Sequence, residues 1–312
     1  MVFEKKSRTH HLIFDRLMKQ ALHHPPTPTA VVYPLSDVAL LGASEAAKAG
    51  LISPQLIAPP KELYKLAAEL KVDISPFKVI EAKDALDAAR KGVALCHDGH
   101  CQILMKGSLH SDVFLQPAMS AESGLRTQRR ISHAFVLDSP EFERPLILTD
   151  AAINIYPKLE EKIDIVQNAI DLAHAIGIPH PRVALLSAIE TINPKIVSTL
   201  DAAALCKMAQ RKQIVGGILD GPLAYDDAMI PEAAQIKAID SEVAGRADVM
   251  VVPDLESGNM LAKQFCWHGN AEAAGVVLGA SVPMILTSRA DSAKSRLTSA
   301  AAAVLITRHS AA

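Results

Sequence analysis

Apolar positions along the chain follow two alternating rhythms. Short runs rich in Val, Ile and Leu are separated by longer stretches in which apolar residues recur every three or four positions. The first rhythm predicts buried strands and the second predicts helices that bury one face. After an amphipathic start at Leu12, Ile13 and Leu17, Pro25, Pro26 and Pro28 break the helix, and Thr29–Tyr33 reads as a strand. A helix at Ser36–Ala49 follows, then a strand at Leu51–Ala58, a helix at Lys61–Glu69, and a strand at Lys78–Ile80 before a helix through Arg90. The pattern resumes with strands at Ile103–Met105, Ala134–Leu137 and Leu146–Leu148, and a helix at Leu159–Ile176 ended by Gly177 and Pro179. Next come a strand at Val183–Leu186, a helix at Asn193–Gln210, a strand at Ile214–Leu219, a helix at Pro231–Ile239 and a strand at Val249–Val252. The final pieces are Lys263–Glu272, Val276–Leu278, Met284–Leu286 and an alanine-rich helix ending near Thr307. This βα alternation predicts an α/β protein with parallel strands joined by crossover helices. With 312 residues the chain exceeds the usual single-domain size, and Ser139-Pro140 marks a boundary within 138–144.

Strand ends matter most in such a sheet, because ligands bind beyond the carboxyl ends of its strands. Five of those ends are polar: Lys106-Gly107-Ser108-Leu109-His110-Ser111-Asp112, Thr149-Asp150-Ala151-Ala152-Ile153-Asn154, Asp220-Gly221-Pro222, Pro253-Asp254 and Thr287-Ser288-Arg289-Ala290-Asp291-Ser292. Each alone also reads as a helix cap. Together they outline a ligand site. Lys106 with Gly107 and the amides of the next helix suits an anion, although the loop is neither a Walker A nor a GxGxxG motif. Arg126, Arg129 and Arg130 stand just before a strand, where a guanidinium fork can grip phosphate or can simply be solvated. Ser288 with Arg289 offers a hydroxyl, an amide and a cation to a developing oxyanion. Lys237, in a helix with a polar face, also suits a phosphate.

Composition narrows the function class. A net charge of -2 with interspersed signs gives no basic field, which argues against nucleic acid and anionic membranes as partners. Four cysteines without a CxxC pair, an opening stretch lacking a signal-peptide core and no apolar run of about 18 residues predict a cytoplasmic protein that spans no membrane. No HExxH or zinc-spaced His and Cys set is present, so no metal is expected; Asp220, Asp226 and Asp227 suit caps and turns better than Mg²⁺.

Taken in order, these motifs resemble the phosphate acetyltransferase and phosphate butyryltransferase family. The resemblance rests on Lys106-Gly107 with His110-Ser111-Asp112, Gly124-Leu125-Arg126 with Arg130-Ile131-Ser132-His133, Thr149–Asn154, Asp220-Gly221-Pro222, Lys237–Gly245, Asp248–Asn259 and Thr287-Ser288-Arg289. Residues Leu286–Ser292 and the alanine-rich tail look closer to the butyryl branch. The resemblance implies two three-layer αβα domains of the isocitrate/isopropylmalate dehydrogenase-like fold, 1–138 plus 284–312 and 139–283, with an interdomain active-site cleft and a homodimer or higher oligomer made through the second domain. It implies reversible acyl transfer between CoA and inorganic phosphate by direct attack, with acyl-CoA, phosphate and acyl phosphate as partners and no cofactor. Ser288, Arg289 and Asp291 would be catalytic. Lys106, His110, Ser111, Arg126, Arg130, Asp150, Asn154, Lys237, Gly258 and Asn259 would bind phosphate or CoA. Two departures stand out. The acetyl branch's base aspartate is Ser295 here, which leaves Asp291 as the nearby carboxylate, and the arginine expected before Pro117 is Gln116. A metal- and NAD(P)-dependent hydroxy-acid dehydrogenase of the same fold and a non-catalytic acyl-CoA-binding protein are the competing readings.

Overall fold

A computed structural model describes residues 12–121, 124–286 and 292–310. In chain order the first part comprises α1 (Leu12–Ala21), β1 (Thr27–Val32), α2 (Asp37–Lys48), β2 (Ile52–Ala58), α3 (Pro60–Glu69), β3 (Lys78–Glu81), α4 (Ala85–His97), β4 (Ile103–Lys106) and α5 (Ser111–Met119). The middle part comprises β5 (Ser132–Asp138), β6 (Leu146–Thr149), α6 (Leu159–Ala175), β7 (Arg182–Leu186), α7 (Val197–Gln210), β8 (Ile218–Leu223), α8 (Tyr225–Met229), α9 (Pro231–Ile236), β9 (Val249–Val251) and α10 (Leu255–Trp267). The chain closes with β10 (Glu272–Leu278), β11 (Met284–Ile285) and α11 (Ala293–His309).

These elements form two compact units. One is built from Arg16–Ile131 and the stretch from Ala274 onward, the other from Ser132–Ala273 and Leu12–Asp15. In the first unit the strands lie in the order β3-β2-β1-β4-β11-β10, parallel except that β10 runs antiparallel to β11. Apolar runs on both faces explain why Val31, Val32, Leu56, Ile57, Ile103 and Leu104 are all buried, as a helix-covered parallel sheet requires. Gly92 of α4 makes this packing possible: a Cβ there would stand 2.7 Å from Val32 Cγ2 and 3.0 Å from Leu104 Cδ1. α11 carries Ala300, Ala301, Ala302 and Ala303 fully buried, the signature of a helix enclosed on every side.

The second unit has the order β5-β6-β9-β7-β8, with β5 antiparallel to β6 and the rest parallel. The expectation of purely parallel strands is corrected at both antiparallel pairs, because the links from Asp138 to Leu146 and from Leu278 to Met284 are too short for a crossover. Other boundaries shift for local reasons. The strand expected at Ile214–Leu219 begins at Ile218, since Gly216 takes φ +87° and turns the chain. The helix expected from Asn193 begins at Val197, because the Thr199 hydroxyl donates to the Asn193 and Ile196 carbonyls and accepts from the Asn193 amide. At the amino edge of this sheet Asp248 accepts from the Arg182 amide at 3.0 Å and pairs with the Arg182 and Arg144 guanidinium groups. Among the described residues no helix is long and apolar enough to cross a membrane.

Candidate active site

In the first unit, the chain leaving β4 turns sharply over β1. Gly107 N–H donates to the Val32 carbonyl at 2.8 Å and Ser108 N–H to the Tyr33 carbonyl at 2.9 Å. A Cβ on Gly107 would stand 2.5 Å from the Tyr33 oxygen and would also overlap the Val32 oxygen, so only glycine fits. The Ser108 hydroxyl donates to the Tyr33 carbonyl and accepts from Leu35 N–H, locking the turn. His110 then caps α5 without a side-chain hydrogen bond to it, and Ser111 opens the helix. A cavity of about 430 Å³ is lined by Lys106, Ser108, His110 and Ser111, by Ser36 and Val38 at the start of α2, and by Leu286. The structure therefore brings the sequence candidates Lys106, His110 and Ser111 together around one open space. Its size lies within the usual range for small-ligand sites, roughly 300–1,000 Å³.

In the second unit, the loop after β6 folds around Asp150, which is 3% exposed. Its carboxylate accepts from the amides of Ala152 (2.9 Å), Ile153 (3.0 Å) and Asn154 (3.3 Å), and from Asn154 Nδ2 at 2.6 Å. These amides are thus held by a carboxylate of the chain itself, which fixes the loop. The first turn of α10 braces it from the other side. A Cβ on Gly258 would lie 2.9 Å from the Asp150 carbonyl oxygen and 3.1 Å from Ala151 Cα. Asn259 Nδ2 donates to the Ala151 carbonyl at 3.3 Å. The helix is started by Asp254, whose carboxylate accepts from Ser257 N–H at 2.8 Å. Gly258 and Asn259 therefore shape the Asp150 loop.

Sequence reasoning placed His133 within a motif but gave it no role. β5 pairs with β6 so that Ala134 faces Thr149, which sets His133 opposite Asp150. The ring is 1% exposed, stacks edge-on against Phe135 at 4.4 Å, and has no hydrogen-bond partner at Nδ1 among the described residues. Burial pushes its pKa down to about 4, with the Asp150 charge opposing the shift. The imidazole is neutral at physiological pH. A Ser-His pair opening a strand was the available signal, but antiparallel register was needed to read it.

Lys237 sits among carboxylates: its ammonium is 2.9 Å from Asp227, 3.5 Å from Asp226 and 3.5 Å from Glu190. The hydrogen bond to Asp227 is the main cause of its raised pKa. Arg126 and Arg130 are exposed, and Arg126 is pinned by a bridge to Ala280 while Thr127 Oγ1 donates to Gly279 O at 2.6 Å. Ser288, Arg289 and Asp291 lie outside the described residues. Ser295, at the base position of the acetyl branch, is 4% exposed in the first turn of α11, where its amide donates to the Ser292 hydroxyl at 3.0 Å. Among the described residues no group of three or more His, Cys, Asp or Glu side chains is arranged to hold a metal ion.

Residues 82–304 match the family model described as phosphate acetyl/butaryl transferase. The chain belongs to this family. A family relative from Rhizobium meliloti named phosphate acetyltransferase is 54% identical over 292 residues, 94% of this chain and 92% of that protein. A phosphate butyryltransferase from Clostridium acetobutylicum is 39% identical over 94% of this chain and 97% of its own length. Among solved structures, a branched-chain phosphotransacylase from Enterococcus faecalis V583 superposes with a TM-score of 0.79 at 30% identity, covering 91% of this chain and 99% of that one. Relatives of both family names therefore match over nearly the whole chain. The acyltransferase class is thereby supported over the dehydrogenase and non-catalytic readings.

Proposed function

We propose that the chain catalyses acyl-CoA plus inorganic phosphate giving acyl phosphate plus CoA, reversibly, for a short acyl group such as acetyl or butyryl. The observation that carries this reading is the family match over 82–304, which includes the Lys106 loop, the Asp150 loop and the Ser288-Arg289 pair. In the reverse direction a thiolate attacks the acyl phosphate; in the forward direction a phosphate oxygen attacks the thioester carbonyl. A thiol with a pKa of about 8.5 is only a few per cent ionised at neutral pH, so a base or cation beside the sulfur contributes. Holding both reactants together supplies roughly 7 kcal/mol or more, and one oxyanion donor about 3 kcal/mol. In this reading Ser288 and Arg289 stabilise the oxyanion, Asp291 is the base, and Arg130, Arg126 and Lys106 hold phosphate groups. Two features of the described site support the division of labour. Lys106 lines an open cavity, and the Lys237 ammonium lies against three carboxylates. Acyl transfer by direct attack requires no metal or resident cofactor.

The finer fold reading is two three-layer αβα domains of the isocitrate/isopropylmalate dehydrogenase-like type, supported by the two units and by helices packed on each sheet. A homodimer through the second unit is supported by its exposed apolar side chains, including Ile192, Val197, Ile236 and Trp267. Four free cysteines and CoA-linked substrates support a cytoplasmic setting. The test is thiol release from acetyl-, propionyl- and butyryl-CoA with and without inorganic phosphate. Phosphate-dependent release with at least one thioester is expected, and release with none refutes the reading.

A further inference from the structure

We propose that the groove between α4 and α5 is a binding site for a phosphate monoester carried on a flat, largely apolar body. The groove encloses about 480 Å³, the size of a small-molecule site. One face of α4 supplies Leu86, Arg90, Val93 and His97, which recur at helical spacing, while Ala88, Ala89 and Cys96 are buried. α5 supplies Gln116 and Pro117. Leu86, Val93 and Pro117 thus offer an apolar floor for a ring, Gln116 an amide that can read a polar edge, and Arg90 a planar fork suited to two phosphate oxygens. Among the described residues no acidic side chain lines the space. Among the described residues Arg90 and His97 make no ion pair and no side-chain hydrogen bond, so their donors are available to a ligand. His97 is held in place by a backbone device: Gly124, at φ +76°, packs directly beneath its ring, and a Cβ there would overlap it. Two sources carry this chemistry. One is the nucleotide end of a CoA thioester, which bears a 3′-phosphate monoester, and that source rests on the acyltransferase reading. The other is a free nucleotide, which does not.

The test uses the full chain, calorimetric titration with adenosine 3′,5′-bisphosphate, and the variants Arg90→Gln and Arg90→Lys. Arg90 is exposed, so neither variant threatens the fold. The bisphosphate is expected to bind, Arg90→Gln to weaken it at least about tenfold, and Arg90→Lys, which keeps the charge and loses the fork, to retain part of the affinity. Kinetics then distinguish the sources. If the nucleotide end of the substrate occupies the groove, Arg90→Gln raises KM for acyl-CoA at unchanged kcat but leaves KM for the 3′-dephospho thioester unaltered. If a free nucleotide is the occupant, KM for acyl-CoA stays the same while bisphosphate binding is lost. No bisphosphate binding to the wild type, or equal binding to Arg90→Gln, overturns the proposal. Absence of turnover with every acyl-CoA, with bisphosphate binding intact, overturns the acyltransferase reading and leaves the groove standing.

Discussion

Replacing Gly107 by alanine tests how the fold positions the anion loop. The new methyl would stand 2.5 Å from the Tyr33 carbonyl oxygen and overlap that of Val32. Both obstacles are backbone atoms of β1 and of the residue that follows it, so no side-chain rotation relieves the clash. The loop must lift, stretching the Gly107 to Val32 hydrogen bond of 2.8 Å and the Ser108 to Tyr33 bond of 2.9 Å. Overpacking costs about 1–3 kcal/mol, and two weakened hydrogen bonds add about 1 kcal/mol each. The expected destabilisation is about 3 kcal/mol, read as a fall in Tm of roughly 6–12 °C. Because Lys106 and His110 flank the turn, KM for phosphate should rise with it. The control is Gly99→Asn: Gly99 has φ +75° and open space around it, and asparagine tolerates that conformation. Thermal unfolding and phosphate saturation kinetics of the three proteins decide the matter. A Gly107→Ala protein melting with the wild type at unchanged phosphate KM refutes the reasoning.

Other outcomes follow from the same geometry. Asp150→Ala removes the acceptor of three loop amides and of Asn154 Nδ2, and should cost about 3 kcal/mol or more by denaturant unfolding. His133 is neutral in the fold with a pKa of about 4, against 6.5 when unfolded, so the unfolded chain takes up the proton first as pH falls. Its contribution is complete above pH 6.5 and is lost between 6.5 and 4, up to about 3 kcal/mol. His133→Asn should flatten that part of the stability profile; a slope identical to the wild type's contradicts the assignment. Lys237→Met strips the ammonium from the fully buried Asp227 and should lower Tm, with Asp227→Asn in the same protein recovering part of the loss.

The sequence made the βα order legible because buried strands and amphipathic helices have different periods, and both units display them. Antiparallel β5 and β10 were not legible, since an apolar run such as Phe135-Val136-Leu137 carries no sign of direction. α10 was hidden because Pro253-Asp254 reads as a turn, whereas Asp254 is the cap that starts the helix, and Gly258 breaks helical propensity to let that helix touch the Asp150 loop. Of the polar strand ends, the one at Lys106 lines a cavity together with His110 and Ser111. The strand ends did not reveal that the Asp150 carboxylate holds the amides of its own loop or that Lys237 is held by Asp227, because such pairings depend on contacts across the fold.

The central claim is acyl transfer to and from phosphate, and the reverse direction tests it most directly. The purified protein is mixed with CoA and acetyl, propionyl or butyryl phosphate, and thioester formation is followed in the wild type and in Arg289→Ala. The account predicts thioester from at least one acyl phosphate and a loss of about a hundredfold or more in the variant, the usual weight of one oxyanion donor. No thioester from any of them, or equal rates in the two proteins, contradicts it.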